Sequence, residues 1–500
     1  MINRRTVYRR MIKIKRLSQL LIVFCMATAA CAQDSLDEYR KQVQSEYQGF
    51  AREAREEYAN FRDRANAEYG KFMQEPWQAA EVLPPDPVPV RPEPPNPQVK
   101  NPETGTIPPQ ELPYVEVVSL PAPRPAPEPV EPIPLPEKLT GELFSFAFYH
   151  TPCKVHLSAG QKYTLSSADE KAVANAWKRL SASDYNVLVN DCLELRQQLA
   201  LCDWAYVKLL QQLTESYFGS AKSNEAVVMQ MFILTQSGYK VRIARSMDKK
   251  LVLLLPSESD IYRYGFLRMG GVKYYLIDSS VKEDVFVFDH AFPKEQLFSV
   301  AINEKPRLAV HLTGQRMLTS EAYPMIKVDV RTNKNLIDFY NTYPLNSNWD
   351  TYARASLSEE VKKDLYPALK KEFSGRSESE IANRILNLVQ TAFKYATDEE
   401  QFGYERPLFG DETIFYPSSD CEDRAILFSI LVRELMGLDV VLLHYPGHLA
   451  TAVRFNSDVK GDYLTVDGTK YVVCDPTYIN ARVGEAMPQF KEEKCTVVRI

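Results

Sequence analysis

Cys421, His448 and Asp475 follow one another at intervals of 27 residues. A thiol, an imidazole and a carboxylate are the parts of nucleophilic acyl chemistry: the imidazole takes the thiol proton, and the carboxylate fixes the imidazole tautomer. Taken singly they read as a buried thiol, a core histidine and a turn cap, so the local settings must decide. Ser418, Ser419 and Asp420 are capping residues, Glu422 and Asp423 fill a first turn, and apolar residues run on to Leu435 before Gly437. Cys421 therefore starts a helix, where the macrodipole and free N–H groups favour a thiolate and hold a developing oxyanion.

The same elements must position the other two residues. Residues 439–443 read as a strand, Pro446-Gly447 as a turn, and His448 as the start of a second strand that shares a face with Ala450 and Ala452. A third strand follows Asp467-Gly468 and ends at Asp475-Pro476, with Tyr471, Val473 and Asp475 on one face and Cys474 on the other. Gln390, on a helix expected over residues 381–395, and Tyr416 are two side chains open to a role as oxyanion donor. His444 is the competing imidazole, at the end of the preceding strand. No metal-ligand spacing and no cofactor motif accompany these residues, so neither a metal nor a cofactor is expected.

The Cys-Glu-Asp-Arg-Ala helix start, Gly-His ahead of a strand and Asp-Pro-Thr closing the next strand resemble the transglutaminase-like superfamily, over roughly residues 380–480. The resemblance implies a papain-like core, a central helix packed on an antiparallel sheet. It casts Cys421 as nucleophile, His448 as base and Asp475 as orienter of a cysteine acyltransferase or hydrolase. The implied substrate is a protein or peptide amide, and the acyl-enzyme is passed to water or to an amine. Two positions depart from the family: Glu422 stands where many members have Trp, and Leu449-Ala450 follow His448 where many have an aromatic residue. The calcium sites of animal cross-linking members are not carried over.

The helix–strand pattern occurs twice. Residues 223–243 and 421–442 each read as an apolar helix, a glycine stop (Gly238, Gly437) and a strand. Downstream, Gly271-Val272-Lys273-Tyr274 parallels Gly468-Thr469-Lys470-Tyr471. Gly238 lies 40 residues before Asp278, and Gly437 lies 38 before Asp475. An internal duplication of an α+β unit is the expectation, with residues 138–335 a degenerate copy and residues 336–500 the catalytic one. In the first copy Lys222, Ser223 or Asn224 stands for Cys421, and Tyr262, Arg263 or Tyr264 for His448; only Asp278 survives.

Ahead of these lie three further segments. Residues 1–32 carry seven basic side chains and no acid, then an apolar stretch from Leu17 that ends in Ala30-Cys31-Ala32. That stretch is short of the ~20 residues needed to span a bilayer and reads as a secretory signal peptide, with Cys31 acylation as the lipid-anchored alternative. The mature chain is then expected in the periplasm or cell envelope. Residues 33–80 repeat every eleven: Leu36, Tyr47, Tyr58, Tyr69 and Tyr39, Phe50, Phe61, Phe72 lie on one helix stripe. The stripe serves either self-association or packing on the chain's own body. Residues 81–137, with twenty prolines, read as an extended polyproline spacer.

Overall composition is that of a globular protein of several domains: 500 residues, 45% apolar and 25% charged. Without the leader the balance is 53 basic against 65 acidic side chains, which argues against a nucleic-acid partner. Six cysteines follow the leader. Cys192 and Cys202, read on one helix, would be ~15 Å apart along it and beyond bridging, so buried thiols are expected. The alternative to an enzyme is a non-catalytic cell-envelope scaffold that binds a peptide or polymer.

Overall fold

The computed structural model describes residues 33–89, 99–100, 108–119, 127–128 and 140–500, except 258, 303 and 347–348. The expected leader, Cys31 included, lies outside the described residues. The chain divides into two units, residues 1–62 and 63–500. The repeat segment forms the helix Gln33–Phe72, whose last turns belong to the second unit. There Tyr69 of the stripe is core, packing on Trp177 (ring centroids 4.8 Å), Phe288 (5.0 Å) and Phe292 (5.3 Å), while the exposed Phe72 stacks on His290 at 3.8 Å. Asn66 completes the joint, donating to Tyr185 Oη and accepting from Gln236 Nε2.

The second unit is α+β, built around two buried helices, each laid on its own six-stranded sheet. Asn224–Gln236 is apolar almost all round, starts where Ser223 Oγ accepts from Ala226 N, and packs on Arg242–Ser246 and Leu251–Ser257. Cys421–Met436 stops at Gly437, whose left-handed φ of 67° suits glycine, and packs on Val440–Tyr445 and His448–Val453. In the first sheet the order is Gln78–Ala80, Val285–Phe288, Arg242–Ser246, Leu251–Ser257, Val272–Leu276, Phe266–Met269. In the second it is Tyr114–Ser119, Cys495–Arg499, Val440–Tyr445, His448–Val453, Thr469–Cys474, Tyr463–Val466. Taken from each helix onward, the five following strands are ordered and paired alike, all antiparallel. The outermost strand differs: Gln78–Ala80 joins antiparallel, Tyr114–Ser119 parallel.

Two sequence expectations change here. The described parts of the proline-rich segment do not project as a free spacer. Leu83 bridges Phe266 of the first sheet, and Leu112 is 2% exposed in the core of the second. Val99 and Glu111 bridge Ile479 and Tyr463. Pro127 O accepts from Arg196, and Glu128 O lies so near Gly238 that a Cβ there would come within 2.0 Å of it. Proline denies the segment interior ladder positions, but an edge strand and isolated bridges need few N–H donors. Secondly, Cys192 and Cys202 do not share a helix: Tyr185–Gln198 ends before Ala200, whose φ is 50°, and Cys202 caps Asp203–Phe218. All six described cysteines are free thiols, buried except for the half-buried Cys202.

Candidate active site

Asp420 caps the Cys421–Met436 helix, so Cys421 is its first residue, as its flanking residues imply. His448 opens its strand directly after the Pro446-Gly447 turn, opposite Tyr445. Asp475 follows the last residue of Thr469–Cys474. His448 and Asp475 meet: Nε2 lies 2.9 Å from Asp475 Oδ2, both side chains almost fully buried. Asp475 Oδ1 is held in turn by the backbone N–H groups of Thr477 (2.9 Å) and Tyr478 (3.2 Å). A carboxylate on Nε2 selects the tautomer with hydrogen there, which leaves Nδ1 as a lone-pair acceptor. His448 Nδ1 is buried and takes part in no hydrogen bond. Cys421 is 2% exposed, and its Sγ donates to Glu422 Oε2 at 3.2 Å.

Side chains from distant elements complete the surroundings. Phe490 stacks on the His448 ring at 4.7 Å with an 11° interplanar angle and also packs on Tyr445, shielding the imidazole–carboxylate bond from water. The helix Glu378–Thr391 supplies a clamp. Gln390 Nε2 donates to the carbonyls of Asp475, Tyr478 and Ala481 at 2.7–3.1 Å. Gln390 O accepts from Arg424, which also donates to Phe393 O and Ser419 Oγ. One residue thus ties the Asp475 turn to the first turns of the Cys421 helix. Gln390 is therefore committed to carbonyl oxygens and is not an oxyanion donor. Tyr416 is also engaged, donating to Asn341 Oδ1 at 2.9 Å.

Tyr395 was not singled out by sequence. Lys394–Tyr395 pairs in parallel with Ser418–Ser419, which sets Tyr395 opposite Ser419, two residues ahead of Cys421. The Arg424 guanidinium lies 5.4 Å from its ring centre, and its hydroxyl is buried with no hydrogen bond. Burial pushes the Tyr395 phenol up, and the Cys421, Asp420 and Glu422 side chains around it push the same way, so it stays a protonated donor. His444, the competing imidazole, is exposed beside Trp349.

In the first sheet the strand in the place of His448–Val453 is Leu251–Ser257. Counting along the ladders from the two-residue turns (Gly270-Gly271 and Asp467-Gly468), Lys250 stands at the position of His448 and Asp278 at that of Asp475. Tyr262, Arg263 and Tyr264 lie in the following connection, so none of them takes the His448 position. The second strand is instead Leu251–Ser257, buried at every position and so without the alternation that marks a strand in sequence. Asn224 is the first residue of its helix, as Cys421 is of the other; its Oδ1 accepts from Leu251 N at 2.8 Å and its Nδ2 donates to Lys249 O at 3.1 Å. Asp278 pairs with Lys222 at 2.8 Å.

Comparison of the chain with known protein families, characterised proteins and solved structures found no match.

Proposed function

We propose that this chain is an exported, transglutaminase-like cysteine enzyme that cleaves or exchanges amide bonds through Cys421, His448 and Asp475, and that residues 138–335 are a degenerate copy of its catalytic domain. The carrying observation is the buried His448 Nε2–Asp475 Oδ2 bond that leaves Nδ1 unpartnered, on a strand that packs against the Cys421 helix. The first sheet offers an internal yardstick for the remaining gap. There the helix-start side chain, Asn224, bonds the main chain on both sides of Lys250, the counterpart of His448. The shared strand order supports the same relationship between Cys421 and His448, and with it the duplication.

In the proposed reaction His448 Nδ1 takes the Cys421 proton and the thiolate attacks an amide carbonyl, forming the C–S bond. The helix-start N–H and the Tyr395 hydroxyl hold the oxyanion. The carbonyl re-forms as the C–N bond breaks, and the imidazolium gives its proton to the leaving amine. The thioester then passes to water or to an amine acceptor, with His448 taking the proton of the incoming group.

The test is peptide-resolved alkylation of the full chain at neutral pH, beside His448→Ala. Cys421 is expected to label faster than Cys153 and Cys495 and to slow by about tenfold or more in the variant. Equal labelling of all three thiols, or no effect of His448→Ala, overturns the reading in favour of a binding scaffold.

A further inference from the structure

The helix Gln33–Phe72 carries an apolar stripe of which only one end is used. In its last turns the stripe is buried within the second unit, where Ala65 is 9% and Tyr69 2% exposed. In the first unit its described members are open: Val43 and Phe61 are half-buried, and Tyr47 is 63% exposed. The residue pattern does not change between the two. Leu36, Tyr47 and Tyr58 lead at eleven-residue intervals to Tyr69, and Tyr39, Phe50 and Phe61 lead likewise to Phe72. A surface of the kind that is buried at one end thus runs on for two further repeats, and an exposed aromatic stripe of that length marks an interaction site.

The flanks of the stripe identify what covers it. At the roughly 98° per residue of an 11-residue repeat, Val43 and Ala54 fall on the midline, with the Tyr47 row about 33° to one side and the Phe50 row about 33° to the other. Next outward on the Tyr47 side come the positions of Arg40 and Arg55, and on the Phe50 side those of Glu46, Glu53 and Glu57. The other positions in these two edges between residues 33 and 61 are uncharged. One edge is therefore basic and the other acidic. When two such helices meet antiparallel, each edge faces its own kind, Glu on Glu and Arg on Arg. When they meet parallel, each edge faces the opposite one, and unlike charges flank the seam on both sides. A lipid surface is the poorer match: residues 33–62 hold seven acidic and five basic side chains, whereas helices that lie on membranes are rich in Lys and Arg.

We propose that residues 36–61 pair with the same residues of a second copy of this chain, as a parallel two-stranded coiled coil. The small side chains on the midline let the two helices approach, and the aromatic rows close the seam on either side. The 11-residue period keeps the seam straight or slightly right-handed. The pairing does not depend on the acyl chemistry, and its test does not read activity.

The full chain is followed by sedimentation equilibrium over a concentration series, and the expected mass is that of two chains. Glu46→Lys with Glu53→Lys and Glu57→Lys makes both edges basic, and Arg40→Glu with Arg55→Glu makes both acidic. Each set should weaken the pair about tenfold or more. All five changes together restore unlike edges and should restore the dimer, which separates lost pairing from lost folding. The leader is common to every variant, so differences among them belong to the helix. An antiparallel pair already sets like edges together and should ignore all three sets. In Val43→Cys, oxidation with diamide should join two chains through residue 43, mapped by peptide mass spectrometry, because parallel pairing in register sets that position against itself. The proposal is overturned by a monomer at every concentration or any other stoichiometry, by a pair that ignores the edge reversals or fails to re-form in the fivefold variant, or by absence of the residue 43 cross-link. A monomer that floats with phosphatidylglycerol vesicles also overturns it and gives the stripe to a lipid surface.

Discussion

At the scale of single residues, the site depends on how fully the imidazole is specified. Asp475 spends one oxygen on His448 and the other on two backbone N–H groups. Asp475→Ala strands those buried donors, so stability should fall by about 2–4 kcal/mol in urea melts, and Cys421 alkylation should slow because the tautomer is no longer chosen. Loss of stability with unchanged labelling would mean that the carboxylate is only a turn cap. Tyr395→Phe removes one hydroxyl that no other protein group uses. Once a substrate is in hand, kcat should drop about 10- to 1000-fold with KM little changed, while Cys421 labelling holds. Residue types and spacing were enough to single out His448 and Asp475, which meet, and Cys421 at the start of its helix. They could not select Phe490, Tyr395 or the clamping role of Gln390, because each arrives from an element remote in sequence and looks ordinary on its own.

At the scale of elements, the helix Glu378–Thr391 acts as a brace between two parts of the site. Gln390→Ala leaves three buried carbonyls without their shared donor, at a cost of about 2–4 kcal/mol. The expected signature is a lower urea midpoint together with slower Cys421 labelling; a stability change alone would reduce Gln390 to ordinary packing. Elements were the most readable level in the sequence. The helix starts at Ser223 and Asp420, the glycine stops and the hairpin at Asp467-Gly468 all follow from local capping and turn chemistry. The missed element, Leu251–Ser257, is apolar throughout and buried on both faces, so no alternation marked it as a strand.

At the scale of the whole molecule, the proline-rich segment contributes to the folded body. Leu112→Ala should cost about 2–4 kcal/mol, because Leu112 is packed in the core of the second sheet. A free spacer would tolerate the change, so an unaltered denaturation midpoint would contradict the fold described here. Composition alone argued for a spacer because proline count measures what a chain cannot do inside a ladder. It says nothing about edge strands and single bridges, which is how residues 83, 99, 111 and 114–119 are used.

The parallel pairing of Tyr114–Ser119 with Cys495–Arg499 also bears on when this protein can fold. Partners across that edge are 380 or 381 residues apart, as at Glu116 with Thr496 and Tyr114 with Cys495. Closing so long a loop is entropically late and slow. A ribosome that has made residues 114–119 has nothing yet to dock them on, so the sheet carrying His448 is finished only once residues 495–499 have been made. The first sheet needs nothing beyond Val285–Phe288, so the two sheets become able to close at widely separated stages of synthesis.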